Sequence, residues 1–185
     1  MIDRIKSLIR GSQGFSLGEV LVAILILLMM TSIVTAGMPA ATNAYYKVVD
    51  AANAQTLLST TMTSMRDELS TAKNITTEKI SAGDTGDKKV VYIGSDGIET
   101  SIKYMETITS ADAAKYKDGP GIYIENINYT TLLVSKAAAN KNLHACFRSI
   151  SYSDGIVTVK DLSVRKDGTT TDLAYVPTFL IRVIT

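Results

Sequence analysis

Hydrophobic positions change their spacing twice along this chain. From Val20 to Met30 eleven consecutive residues are apolar, Thr31 and Ser32 soften the run, and Ile33 to Met38 continues it to Pro39. Phe15 to Met38 is 24 residues, which as a helix would be about 36 Å long. That is enough to cross a hydrocarbon core of about 30 Å. Beyond Pro39 a helical period takes over. Tyr45, Val48, Val49, Ala52, Leu58, Met62, Met65, Leu69 and Ala72 recur at three- and four-residue spacing, while Lys47, Asp50, Asn53, Arg66 and Asp67 fall largely elsewhere around the helix. No glycine or proline interrupts Ala40 to Asn74. The pattern predicts one helix over about residues 15–73, roughly 88 Å long. A compact domain of this size cannot enclose such a rod, so its first half is expected to project and its second half to pack on a head. The Met62, Met65 and Leu69 stripe reads as ordinary core contact.

From Asn74 the period shortens again. Asn74-Ile75-Thr76-Thr77 ends the helical pattern with β-branched and turn-forming residues, and Ser81 to Lys88 reads as a loop. Lys89–Ile93 and Ile98–Tyr104 flank Gly94-Ser95-Asp96-Gly97, a hairpin signal. Thr109 to Gly121 is a polar loop with room for a helical turn, and Ile122 to Ile127 is a candidate strand. Tyr129 to Lys141 is ambiguous, with Ser135 to Ala139 compatible with a helical turn. Leu143–Tyr152 and Ile156–Arg165 face each other across Ser153-Asp154-Gly155. After the turn at Lys166-Asp167-Gly168, Tyr175–Ile184 makes a last strand, with Pro177 at its edge or start. The alternation from Ile156 to Val164 is weak, although β-branched residues abound. The expected class is α+β, an antiparallel sheet lying on the second half of the helix.

Composition and charge add direction. With 185 residues the chain is one domain's worth, and its net charge of +1 shows no basic face, which gives no electrostatic case for nucleic acid. The first 14 residues carry +2, from Arg4, Lys6 and Arg10 against Asp3, and the next basic residue after the apolar run is Lys47. The positive-inside rule then keeps the N-terminus cytoplasmic and the remainder on the outer side. The lone cysteine, Cys146, excludes an intramolecular disulfide. Glu19 is the only charge between Phe15 and Met38, and an ionisable group at membrane depth asks for a functional explanation. A secretory signal cleaved near Ala36 or Ala41, or a plain single-span anchor, would also fit the apolar run. Neither explains the carboxylate.

The order Gly14-Phe15-Ser16-Leu17-Gly18-Glu19-Val20-Leu21-Val22-Ala23 resembles the class III prepilin signal of type IV pilins and type II secretion pseudopilins. The resemblance covers about 25 residues and joins cleavage context, glutamate spacing and apolar run. It departs from the family at Gly18, where a larger apolar residue is usual, and at Ala36, where many members have a proline; Pro39 follows three residues later and would displace a kink to itself. The resemblance implies a leader peptide over 1–14, cut by prepilin peptidase between Gly14 and Phe15, and N-methylation of Phe15. It also implies a transmembrane and filament-core segment over 15–39 and a periplasmic or extracellular head over 40–185. In such a subunit Glu19 serves assembly by pairing with the N-terminal amine of a neighbour, and the fold is the type IV pilin fold. Partners would be other pilin subunits, prepilin peptidase and, for the precursor, the cytoplasmic membrane. The loops and the Leu57-Leu58 and Met65-Arg66-Asp67-Glu68-Leu69 stretches look similar to minor pilins.

No catalytic constellation is legible, so no enzyme and no cofactor are expected. His144 and Cys146, at i and i+2, would share a strand face but have no evident third ligand or base. Asp84-Thr85-Gly86-Asp87 and Asp167 to Asp172 place paired carboxylates in loops, without EF-hand spacing, and read as solvated turns rather than calcium sites. Asn74-Ile75-Thr76 and Asn128-Tyr129-Thr130 fit the glycan acceptor pattern, which arises cheaply by chance. The rival functional class is a membrane-tethered binding or sensor domain with an uncleaved anchor.

Overall fold

A long helix, α1, runs from Leu17 to Ser70, with Pro39 inside it. The computed structural model describes residues 16–80, 86–108, 112–136 and 142–184. The chain divides into two compact units between Lys47 and Val48, within α1. In the first unit every described residue is exposed, from Ser16 to Lys47. In the second, α1 buries Ala54, Leu57, Leu58, Thr61, Met65 and Leu69. These positions follow the three- and four-residue spacing, so one stripe of the helix enters the core. α1 ends at Ser70, short of the expected Lys73, because the chain tightens there (Ala72 N–H donates to Leu69 O at 3.3 Å) and enters a strand at Lys73.

Among the described residues nine strands follow: β1 (Lys73–Glu78), β2 (Lys89–Ile93), β3 (Glu99–Met105), β4 (Gly121–Asn126), β5 (Thr130–Leu132), β6 (Leu143–Cys146), β7 (Ser149–Ser153), β8 (Ile156–Lys166) and β9 (Asp172–Arg182). The α+β class holds, with two antiparallel sheets where one was expected. β1 to β5 form a meander in chain order, and β8 pairs with β6, β7 and β9 in the other sheet. The Asn74 segment is a strand rather than a mere end to the helix. Its β-branched Thr76 and Thr77 pair β1 with β2, and the irregular stretch lies between Lys73 and Thr76, where Asn74 takes φ 52°. The β2–β3 hairpin turns at Gly94–Gly97 as the sequence indicates, with Gly97 at φ 77°. The β7–β8 hairpin turns at Asp154 (φ 52°) and Gly155 (φ 76°), both left-handed as a tight two-residue hairpin requires.

Leu143 to Tyr152, expected as one strand, is interrupted at Phe147 and Arg148. Both pieces keep one register against β8, with Cys146 opposite Ser163 and Ser149 opposite Lys160. Asp161, across the interruption, has φ 55°. On β8 the buried apolar residues step by two (Val157, Val159), then by three to Leu162, then by two to Val164. β9 repeats the skip at the same rungs: half-buried Ala174 and Val176, then buried Phe179, Ile181 and Val183. The pleat breaks at Asp161 and resumes one position out of phase. That is why the alternation looks weak in the sequence. Pro177 lies inside β9, not at its start, on a strand that pairs only with β8; an edge strand tolerates its missing N–H.

The core joins the buried stripe of α1 to both sheets, through Val90, Tyr92, Ile102, Ile122 and Ile124 on one and Leu143, Ile150, Val157, Val159 and Leu162 on the other. A smaller cluster of Tyr116, Tyr123 and Leu132 lies apart, its two rings edge-on at 4.9 Å.

Candidate functional site

The sharpest candidate is the start of α1. Ser16 is its N-cap. The Ser16 side chain accepts from Gly18 N–H at 3.3 Å, and the Glu19 carboxylate reaches back to accept from Ser16 N–H at 2.9 Å. Ser16-Leu17-Gly18-Glu19 is therefore a capping box, in which two otherwise orphaned backbone donors are satisfied reciprocally. The carboxylate also sits in the first turn, where the helix dipole favours negative charge. Ser-x-x-Glu ahead of an apolar run is a signal readable in sequence, and it gives Glu19 a local role that the resemblance does not supply. A methyl group at Gly18 would meet only Ser16 Oγ, at 3.6 Å, so nothing in the structure demands glycine there. Gly14 and Phe15, the expected cleavage and methylation positions, lie outside the described residues.

Past the cap, Leu21, Ile24, Leu28 and Ile33 are each more than half exposed. This part of α1 is long and apolar enough to cross a membrane. The hydroxyls of Thr31 and Thr35 are satisfied locally. Thr31 donates to Leu27 O at 2.7 Å and Thr35 to Thr31 O at 2.8 Å, which lets them sit in hydrocarbon without unpaired groups.

The other candidates resolve into structural pairs. His144, buried in β6, places Nδ1 2.7 Å from Asp167 Oδ1, and Lys136 reaches the other oxygen at 3.1 Å. Partial burial would raise the Asp167 carboxyl, but these two partners outweigh it and hold the group below its usual range. Cys146 lies 3.1 Å from Ser163 Oγ, and burial pushes its thiol up, away from thiolate reactivity. His144 and Cys146 thus take different partners, and the structure brings no base or ligand to the two together. Asp172 binds Arg165 at 2.6 Å, and Asp87 accepts from Thr77 at 2.7 Å. Asp84 and Thr85 lie outside the described residues. Among the described residues no three His, Cys, Asp or Glu side chains could hold a metal ion.

A polar cleft of about 350 Å³ is lined by Tyr104, Cys146, Ser163, Arg148, Arg165 and Asp172, among others. Four of its charges form two pairs, Arg148 with Asp161 at 3.1 Å and Arg165 with Asp172. One cluster was not legible in the sequence. Glu125 on β4 is gripped by Lys103 on β3 and by Lys115, and Tyr116 donates to it at 3.3 Å. Burial opposes ionisation of Glu125, but the hydrogen bonds and charge of the two lysines prevail and bring its pKa down to about 2. The residues come from three separate stretches: the β3–β4 register, Ser101 opposite Glu125 and Lys103 opposite Tyr123, sets Lys103 beside Glu125, and the connection between the two strands brings Lys115 and Tyr116.

No family model, curated protein or solved structure matches this chain.

Proposed function

We propose that the chain is a subunit, of the minor pilin or pseudopilin kind, of a type IV pilus-like filament, made as a membrane-anchored precursor. The observation that carries this reading is the division of α1. One part is apolar and exposed throughout, with a single carboxylate in its first turn, and the other lays one buried stripe in an α+β head. Prepilin peptidase cuts between Gly14 and Phe15, the new N-terminus is methylated, and the exposed apolar half passes from bilayer to filament core. The Phe15 amine is close to fully protonated at neutral pH. In a low-dielectric setting the Glu19 carboxylate needs a counter-charge, and the amine of the neighbouring subunit supplies it. The partners are other pilin subunits, the peptidase and the membrane; the chain has no catalytic activity of its own in this reading.

The capping box sharpens the test. Glutamine caps as glutamate does, since its side-chain oxygen accepts the same hydrogen bond, but it carries no charge. If pairing drives assembly, Glu19→Gln and Glu19→Ala are both cleaved normally and both fail to enter filaments, as read by immunoblots of sheared filaments against membrane fractions. Normal assembly of Glu19→Gln overturns the pairing and leaves the cap as the role of Glu19. Mass analysis of the mature N-terminus should find N-methyl-Phe15. An intact Met1 in cells that contain prepilin peptidase would instead favour a tethered domain with a fixed anchor.

A further inference from the structure

Tyr45 and Tyr46 lie on α1 past the apolar run, 66% and 60% exposed, their rings edge-on at 6.0 Å. Within the first unit they have no burial partner, since every described residue there is exposed. Their distance from the apolar run is fixed by the helix. Met38 ends that run, and Tyr45 follows seven residues later, about 10 Å further along the axis. The headgroup zone adds only about 5–7 Å on each side of the hydrocarbon core. Side chains on a helix lean toward its N-terminus, however, and cover the turn before their own Cα. Two tyrosines at 45 and 46 therefore lean back toward the end of the apolar run, which brings their rings within reach of the headgroup zone. Between Met38 and Tyr45, Thr42 and Asn43 are polar and Pro39, Ala40, Ala41 and Ala44 are not, and exposed Lys47 follows immediately after Tyr46. An apolar stretch, a short polar step, two amphipathic rings and a cation is the order in which a bilayer itself changes from hydrocarbon to headgroup to water.

We infer that Tyr45 and Tyr46 form an interfacial anchor, seated among the lipid headgroups at the C-terminal end of the span while the chain is membrane-bound. The inference rests on the reading of α1 as a span and adds its depth. Glu19 with the N-terminus holds one interface and the tyrosine pair holds the other, so the helix is stopped from sinking or rising.

The chain has no tryptophan, so Tyr46→Trp and Leu28→Trp each carry a single reporter. The full-length precursor of each is reconstituted in phosphatidylcholine vesicles bearing a nitroxide either on the headgroup or at carbon 12 of the acyl chain. Tyr46→Trp should be quenched at least two-fold more by the headgroup label, and Leu28→Trp at least two-fold more by the acyl-chain label. A Tyr46→Trp reporter that neither label quenches, beside a deeply quenched Leu28→Trp, overturns the anchor and leaves the span standing. A Leu28→Trp reporter that the acyl-chain label does not quench overturns the span, and the anchor with it.

Discussion

Two stretches of one helix meet opposite fates. Leu21, Leu25, Leu28 and Ile33 are at least half exposed, whereas Leu57, Leu58, Met65 and Leu69 further along the same helix are buried to under a tenth. Helix propensity does not separate them, since leucine and methionine serve both. What differs is the spacing of polar residues. The first stretch is apolar all round, which suits a uniform apolar surrounding, while the second is apolar on one stripe and needs a single partner surface. The charges follow the same division. Among the described residues Glu19 is met by a backbone N–H, while in the head Asp50, Asp161, Asp167, Asp172 and Glu125 each have a cationic side chain.

The largest effect that would test this contrast is on packing. Leu69→Ala should lower the stability of the head by about 2–5 kcal/mol, whereas Leu28→Ala, the same deletion at an exposed site, should stay within about 0.5 kcal/mol. Denaturant unfolding of each full-length variant in detergent, followed by tyrosine fluorescence of the head, checks it. Equal losses would break the contrast.

Next comes the paired charge. The Glu125 carboxyl titrates lower in the folded chain than in the unfolded one, so its contribution is complete above the ordinary carboxylate range and vanishes as pH falls to about 2. Glu125→Gln should therefore cost about 1–2 kcal/mol at pH 7, after allowance for solvent screening. The difference from wild type should narrow from about pH 4.5 downward, as seen in melting temperatures measured at pH 7, 4 and 2.5. A gap that stays constant with pH would mean that shape, not charge, matters at this position.

The smallest effect belongs to the helix start. Ser16→Ala removes one half of the capping box and should cost about 0.5–1 kcal/mol of local helix stability. Amide exchange at Gly18 should accelerate while exchange at Leu69 stays unchanged. A spread of the effect into the head would show that the two stretches do not behave as separate units.

Much of this architecture could be read in advance wherever a signal is local. The helix, the Gly94–Gly97 and Asp154–Gly155 turns and the β4 segment follow from spacing and turn chemistry. β1 was missed because six residues that follow a helix directly carry too short a pattern to be told from a helix end. The second sheet was missed because strand partners are set by tertiary contacts, which period alone does not carry. At the candidate site, Glu19 was conspicuous as a lone charge and its capping partner Ser16 was written beside it in Ser-x-x-Glu. The Glu125 cluster had no such marker, since Lys103 reaches it only after β3 and β4 pair and Lys115 and Tyr116 only after the connection between them folds back.

The broken rung at Asp161 has a mechanical consequence. An ordinary strand can slide by two residues and still show its partner the same face, so its register is only half specified. Here the skipped positions of β8 and β9, Asp161 and Pro177, fall at one rung opposite the interruption between β6 and β7, and a separate irregularity lies between Val164 and Arg165. Sliding any one strand would carry its notch away from the others and set buried side chains against the wrong neighbours. The flaw in the pleat works as a key in a lock, and it gives the longest strands of the head one place to stop.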